Sequence, residues 1–104
     1  MPVHNRGEVW LADLGIAAKI RPALVFSVPL DPADRVLVTL VPHTTSLAGT
    51  RFEVTIPKSF LKPGAFDAQG LITVAVPRLQ RKLGTLSPAE LALVEAAVKK
   101  WLGL

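Results

Sequence analysis

Between Arg51 and Pro57 the chain alternates. Phe52, Val54 and Ile56 fall on one side, and Arg51, Glu53 and Thr55 on the other. A two-residue period predicts a half-buried strand with one wet face. Two earlier segments are apolar nearly throughout, RPALVFSV at 21–28 and RVLVTLV at 35–41. Runs of this kind, rich in β-branched residues, predict central strands covered on both faces. A shorter strand is expected at Val9 to Leu11, closed by turn chemistry at Asp13-Leu14-Gly15. PLDPAD at 29–34 reads as a loop, and PHTTSLAGT at 42–50 as the end of the third strand plus a loop. KSFLKPGAFDAQGL, from 58 to 71, has no period and predicts irregular chain with a single helical turn. LITVAVP at 71–77 is a fifth strand. LQRKLGTL at 79–86 is a short strand or turn, broken at Gly84.

The period then changes to that of a helix. Ser87-Pro88-Ala89-Glu90 supplies an N-cap, a proline at the first helical position and a glutamate three residues after the cap. Leu91, Val94, Val98, Trp101 and Leu102 follow at helical spacing, and Lys99 and Lys100 occupy the last turn, where cations suit the helix dipole. The pattern predicts an amphipathic C-terminal helix packed on a sheet, with Trp101 turned inward. Trp10 and Trp101 both read as core rather than as platforms for stacked bases. About five short strands and one helix make a mainly β fold with a C-terminal α-helix, a small bent antiparallel sheet or barrel. The 104 residues, free of repeats and linkers, read as a single domain spanning 1–104.

Composition narrows the function. Nine prolines argue against a helical bundle, and half the residues are hydrophobic, enough for a core. The absence of cysteine excludes disulfides, thiolate metal sites and a cysteine nucleophile. No run approaches the length of a membrane span, and MPVHNRGEVW lacks an apolar signal core, so a cytoplasmic protein is expected. The net charge of +4 is compatible with a phosphate-bearing partner. No acid lies between Asp67 and Glu90, while Arg78, Arg81 and Lys82 cluster there. That cluster is either a solvated basic face or a track for a nucleic-acid backbone.

Four stretches, in order and at the right spacing, carry a resemblance: GEVWLADLG, RPALVFSV, VTLVPHTTS and RLQRKLGTLSPAEL. They are similar to the MazF/PemK family of toxins, ribonucleases of bacterial toxin–antitoxin pairs, from about Gly7 to the last helix. The resemblance implies an SH3-like small barrel with a C-terminal helix and a homodimer. It implies a sequence-preferring endoribonuclease that cuts single-stranded RNA without a metal or other cofactor. A cognate antitoxin, whose disordered tail covers the RNA groove, would hold it inactive. The reaction implied is attack by the neighbouring 2′-hydroxyl, leaving 2′,3′-cyclic phosphate and 5′-hydroxyl ends.

The family's chemistry maps onto Arg21 and Thr44. An arginine fork matches two phosphate oxygens, and Pro22 restricts the Arg21 backbone to extended conformations. The plainer reading is an arginine that ends a strand and reaches into water. Arginine is a poor base, since its pKa exceeds about 12, so stabilising the transition state is its first task. Thr44 would donate a hydroxyl hydrogen bond to the phosphate; its plainer reading is a turn threonine bonded to its own backbone. His43 titrates near neutrality but, beside Thr44 on an extended strand, is expected to face away from the groove. It stands as a minor candidate. Lys19, Thr45, Arg78, Arg81 and Lys82 are candidates for holding RNA; His4, Arg51, Lys99 and Lys100 are not.

Two departures from the family pattern bear on sequence preference and antitoxin contact. Many relatives have a longer, glycine-rich loop between the first two strands, where this chain has GIAAKI at 15–20. Many also carry an arginine and an aspartate in a longer stretch before the last strand, which here is the compressed AVPRLQRKL. Two other readings remain on the same scaffold. One is a toxin that acts by protein contact, as a related gyrase poison does, and would use an exposed KKWLGL helix end. The other is an inactive barrel that only binds RNA or an antitoxin.

Overall fold

The central apolar runs become the middle of an antiparallel sheet in the computed structural model, which describes residues 3–15 and 20–104. The strands are β1 (Glu8–Asp13), β2 (Ile20–Val25), β3 (Leu37–Thr44), β4 (Glu53–Val54), β5 (Ala65–Asp67), β6 (Ile72–Ala75) and β7 (Leu79–Thr85). They lie in the order β4-β5-β3-β2-β1-β7, and β6 pairs with the first half of β3. One helix, α1 (Pro88–Leu102), closes the chain. The fold is mainly β with a C-terminal helix, as the pattern predicts. Among the described strands the sheet does not close on itself, so "barrel" describes it only approximately.

Why β1, β2 and β3 lack alternation is clear from their two neighbours. On one face Val9, Leu24 and Val41 pack with Phe66, Val94 and Val98 of the helix side. On the other, Trp10, Ala12, Ala23, Val25, Val38 and Leu40 form a second core cluster. Each fully buried Val or Leu contributes roughly 1.5–3 kcal/mol, so both faces of these strands must be apolar. Trp10 is core, with its indole N–H donating to buried Glu8 at 3.0 Å.

The aperiodic and broken segments turn out differently from expectation. The alternating stretch 51–57 buries Phe52 and Ile56, yet only Glu53 and Val54 have ladder partners. The irregular stretch contains β5, a three-residue strand that pairs with His43 and Thr44 at the end of β3. Its existence depends on that distant partner and leaves no local period. A single 3₁₀ turn follows at Ala68–Gly70. Gly84 does not break β7. The strand runs through it, and the Phe60 ring occupies the space a side chain would need; a Cβ on Gly84 would sit 2.4 Å from Phe60 Cε2.

The helix forms as its caps dictate. Glu90 N–H donates to Ser87 Oγ at 3.2 Å, and Ser87 N–H donates to Glu90 Oε1 at 2.8 Å. Gly103 ends it in the left-handed region at φ 73°. Val94, Ala97 and Val98 are buried. The inward Trp101 is a correction: its ring meets Phe52 edge-on at 5.4 Å, yet 44% of it is exposed, and Leu102 is 49% exposed. The apolar face continues to the last turn, where Trp101 meets Phe52 just before the edge strand β4.

Candidate active site

β1, β2 and β3 end together, and their register decides what meets there. Leu11 pairs with Pro22 on one side and Arg81 on the other, while Ala12 pairs with Arg21. Ala23 pairs with Pro42, so Arg21 and Thr44 lie at the same end of adjacent strands. A cavity of about 500 Å³ opens at this end. It is lined by Arg21, His43, Thr44, Thr45, Lys62 and Arg81, over an apolar floor that includes Leu11, Phe60 and Leu83. Three cations and two threonine hydroxyls thus face one space, and no carboxylate lines it among the described residues. Donors without competing acids suit a phosphate diester.

Thr44 does what an ordinary turn threonine does. Ser46 N–H donates to its Oγ1 at 3.0 Å, and the hydroxyl proton has only a long contact, 3.4 Å, to Ser46 O. The accepted bond orients the oxygen; the weakly held proton is available to an incoming anion. The loop that follows is held by Glu53, whose carboxylate accepts from the N–H groups of Ala48, Gly49 and Thr50 at 2.7–3.0 Å. Those bonds, led by that from Ala48, keep its carboxyl below the usual range. Gly64 packs tightly against the end of β3. A Cβ on it would lie 2.1 Å from Thr44 O and 2.9 Å from His43 Cε1.

His43 and Thr44 both line the cavity, which corrects the expectation that one strand cannot turn both toward the groove. At the strand end the opening reaches both faces. His43 lies on the core side, 4% exposed, with its ring edge-on to Phe66 at 5.1 Å. Burial pushes its pKa below the ordinary value of 6.5, so the ring is neutral at neutral pH.

The basic cluster divides. Alternation along β7 sends Arg81 to the cavity but not its neighbours. Arg78 pairs with Asp13 at 3.3 Å, and Lys82 with buried Glu8 at 3.1 Å. Lys19 lies outside the described residues, as does most of the GIAAKI loop. Lys62 and Phe60 were not legible beforehand, since they sit in the aperiodic stretch; a lysine between two glycine- or proline-marked turns carries no motif. Among the described residues no group of three or more His, Asp or Glu side chains converges to hold a metal ion.

The fold has known counterparts. An endoribonuclease in complex with its cognate antitoxin, from a mycobacterial species, superposes with a TM-score of 0.83 at 26% identity, over 98% of this chain and 97% of that one. MazF from Deinococcus radiodurans matches with a TM-score of 0.80 at 27% identity, over the whole of both chains. The MazE–MazF complex from the same organism gives a TM-score of 0.79 at 27% identity, over 100% of this chain and 99% of that one. The family model of the PemK-like, MazF-like toxin of type II toxin–antitoxin systems matches residues 5–102. With a matched span that includes every described wall of the cavity, this chain belongs to that toxin family.

Proposed function

We propose that the chain is a metal-independent endoribonuclease toxin whose centre is the cavity holding Arg21 and Thr44. The observation that carries this reading is their convergence, with Arg81 and Lys62, on one concavity that no carboxylate lines among the described residues. RNA supplies its own nucleophile. The 2′-oxygen bonds to phosphorus, the bond from phosphorus to the 5′-oxygen breaks, and a 2′,3′-cyclic phosphate and a 5′-hydroxyl result. One proton leaves the 2′-hydroxyl and one reaches the departing oxygen. Arg21 places permanent charge against the non-bridging oxygens as they gain negative charge. The loosely held Thr44 proton adds a donor to the same oxygens. Neutral His43, on the cavity floor, is the available acceptor for the 2′-hydroxyl proton. Thr45, Lys62 and Arg81 hold the flanking backbone.

The MazE–MazF and endoribonuclease–antitoxin neighbours support a cognate antitoxin for this chain, and the family resemblance supports a homodimer, which sedimentation at micromolar concentration measures. The decisive assay incubates the chain with long single-stranded RNA in EDTA, beside a folded Arg21→Ala protein. Wild type cuts, and Arg21→Ala cuts roughly 100-fold more slowly or worse, having lost a donor to the transition state. Equal rates reject the role of Arg21.

One observation favours a second reading, action by protein contact. The helix end is open: Trp101 and Leu102 are half exposed, and Leu104 is exposed. A chain that cuts no RNA but inhibits gyrase, and loses that inhibition on Trp101→Ala, would establish it.

A further inference from the structure

The loop after Thr44 has little of its own to hold it. From Thr45 to Arg51 every residue is exposed, so no buried side chain fixes the chain between Thr44 and buried Phe52. Thr45 and Ser46 nevertheless line the cavity, and Ser46 N–H aims the Thr44 oxygen. Exposed segments without buried contacts open at little cost. A donor to a phosphate works only if its direction is set beforehand.

The tie comes from outside the cavity. Glu53 stands on the edge strand β4 and is not among the residues that line that space. Its Oε2 accepts from Ala48 N–H at 2.9 Å, and its Oε1 accepts from Gly49 N–H at 2.7 Å and Thr50 N–H at 3.0 Å. Three successive amides converge on one carboxylate, an arrangement in which backbone holds an anion. Gly49 permits it, with φ at +77°, a conformation that other residues adopt only at a cost. Led by the bond from Ala48, these donors keep the carboxyl below its ordinary range, so it is an anion at neutral pH. Charge-assisted bonds of this kind are the stronger ones. Both ends of the loop also rest on one short strand. Glu53 pairs with Asp67 of β5, and Thr44 pairs with Ala65 of the same strand. The carboxylate is therefore fixed relative to Thr44, and the loop amides are fixed relative to the carboxylate.

We infer that Glu53 is a positioning residue for the Thr44 hydroxyl, acting through the loop amides that keep Ser46 N–H on Thr44 Oγ1. The role rests on the ribonuclease reading, since the hydroxyl it aims is the donor assigned there. Glu53 never meets RNA. The amides it holds are exposed, so water replaces the lost bonds and its removal should barely move the melting temperature.

Two measurements test this, and only one needs RNA. In the first, cleavage of single-stranded RNA is followed in EDTA. Glu53→Ala should lower kcat roughly tenfold, less than the loss of the donor itself, and leave KM within about twofold of wild type. In a Thr44→Val background the same change should cost less than about twofold, because no hydroxyl is left to aim. A purely structural role would cost the same factor in both backgrounds. Equal losses in the two, a change in KM alone, or no loss at all overturns the inference and leaves the ribonuclease intact. In the second, solvent exchange of the Ser46 amide is read by NMR. It should be about tenfold faster in Glu53→Ala, while amides of β1 to β3 keep their protection. An unchanged Ser46 amide overturns the inference whether or not the chain cuts RNA. Should Glu53→Ala fail to fold, Gly49→Val carries both measurements. It strains the same turn, leaves β4 intact and meets no atom within 4 Å of its Cβ. Wild-type cleavage and exchange in that protein would overturn the inference equally.

Discussion

At the scale of single residues, the partners of a polar group set what it can do. Thr44 accepts from Ser46 N–H, so its hydroxyl is aimed before substrate arrives. Thr44→Ser keeps both roles and should cut within about tenfold of wild type, whereas Thr44→Val loses the donor and should fall by about 100-fold. Single-turnover rates on one RNA check this; equal rates for the two variants would remove the hydroxyl from the chemistry. Glu8 is a different case. Burial alone would raise its pKa, but the N–H of Asn5, the Trp10 indole and Lys82 together outweigh burial and hold it at about 2, against an ordinary 4.5. A depressed carboxyl stabilises the fold fully above its ordinary pKa and ceases to do so as pH falls from 4.5 toward 2. Glu8→Gln should therefore be less stable than wild type at pH 7, and the gap should narrow through that acid window. Denaturant titrations across pH measure it, and a gap that stays constant would show that charge is not the source.

The elements differ in how local their causes are. The helix start was legible because the capping box, Pro88 and the 3.6 spacing all lie within a few residues. Val98 is buried at 3% exposure on that spacing. Val98→Asp places an unpaired carboxylate in the core and should destabilise by several kcal/mol, enough to unfold much of the protein. Leu93→Asp, on the wet side of the same helix, should leave the melting temperature nearly unchanged. Matched melting curves for the two variants would mean the buried face is misassigned. β5 and the continuity of β7 were not legible. The first needs β3 as a partner, and the second is held by its pairing with β1, with the Phe60 ring over Gly84. Trp101 failed as a core residue for the opposite reason: the period persists through the last turn, while the surface it should cover runs out.

At the scale of the whole molecule, the basic cluster before the helix divides into cations already paired and one that faces the cavity. Arg78 and Lys82 are tied to Asp13 and Glu8; Arg81 and Lys62 line the cavity without ion pairs among the described residues. RNA binding should weaken with salt, the slope of log K against log salt falling by about 0.7 for each phosphate contact removed. Arg81→Ala should reduce the slope by about that amount, and Arg78→Ala should barely alter it. Equal reductions would restore the undivided basic face that the sequence alone allowed.

The central strands and the capped helix were readable in the sequence, because periodicity and caps are local and survive as patterns along the chain; Arg21 and Thr44 were singled out as a pair only through the family resemblance. Tertiary structure alone decided which of three clustered cations faces the site, that Lys62 and Phe60 complete it, and that His43 shares it. Those outcomes depend on register between strands and on where a distant loop lands, and neither leaves a mark on neighbouring residues.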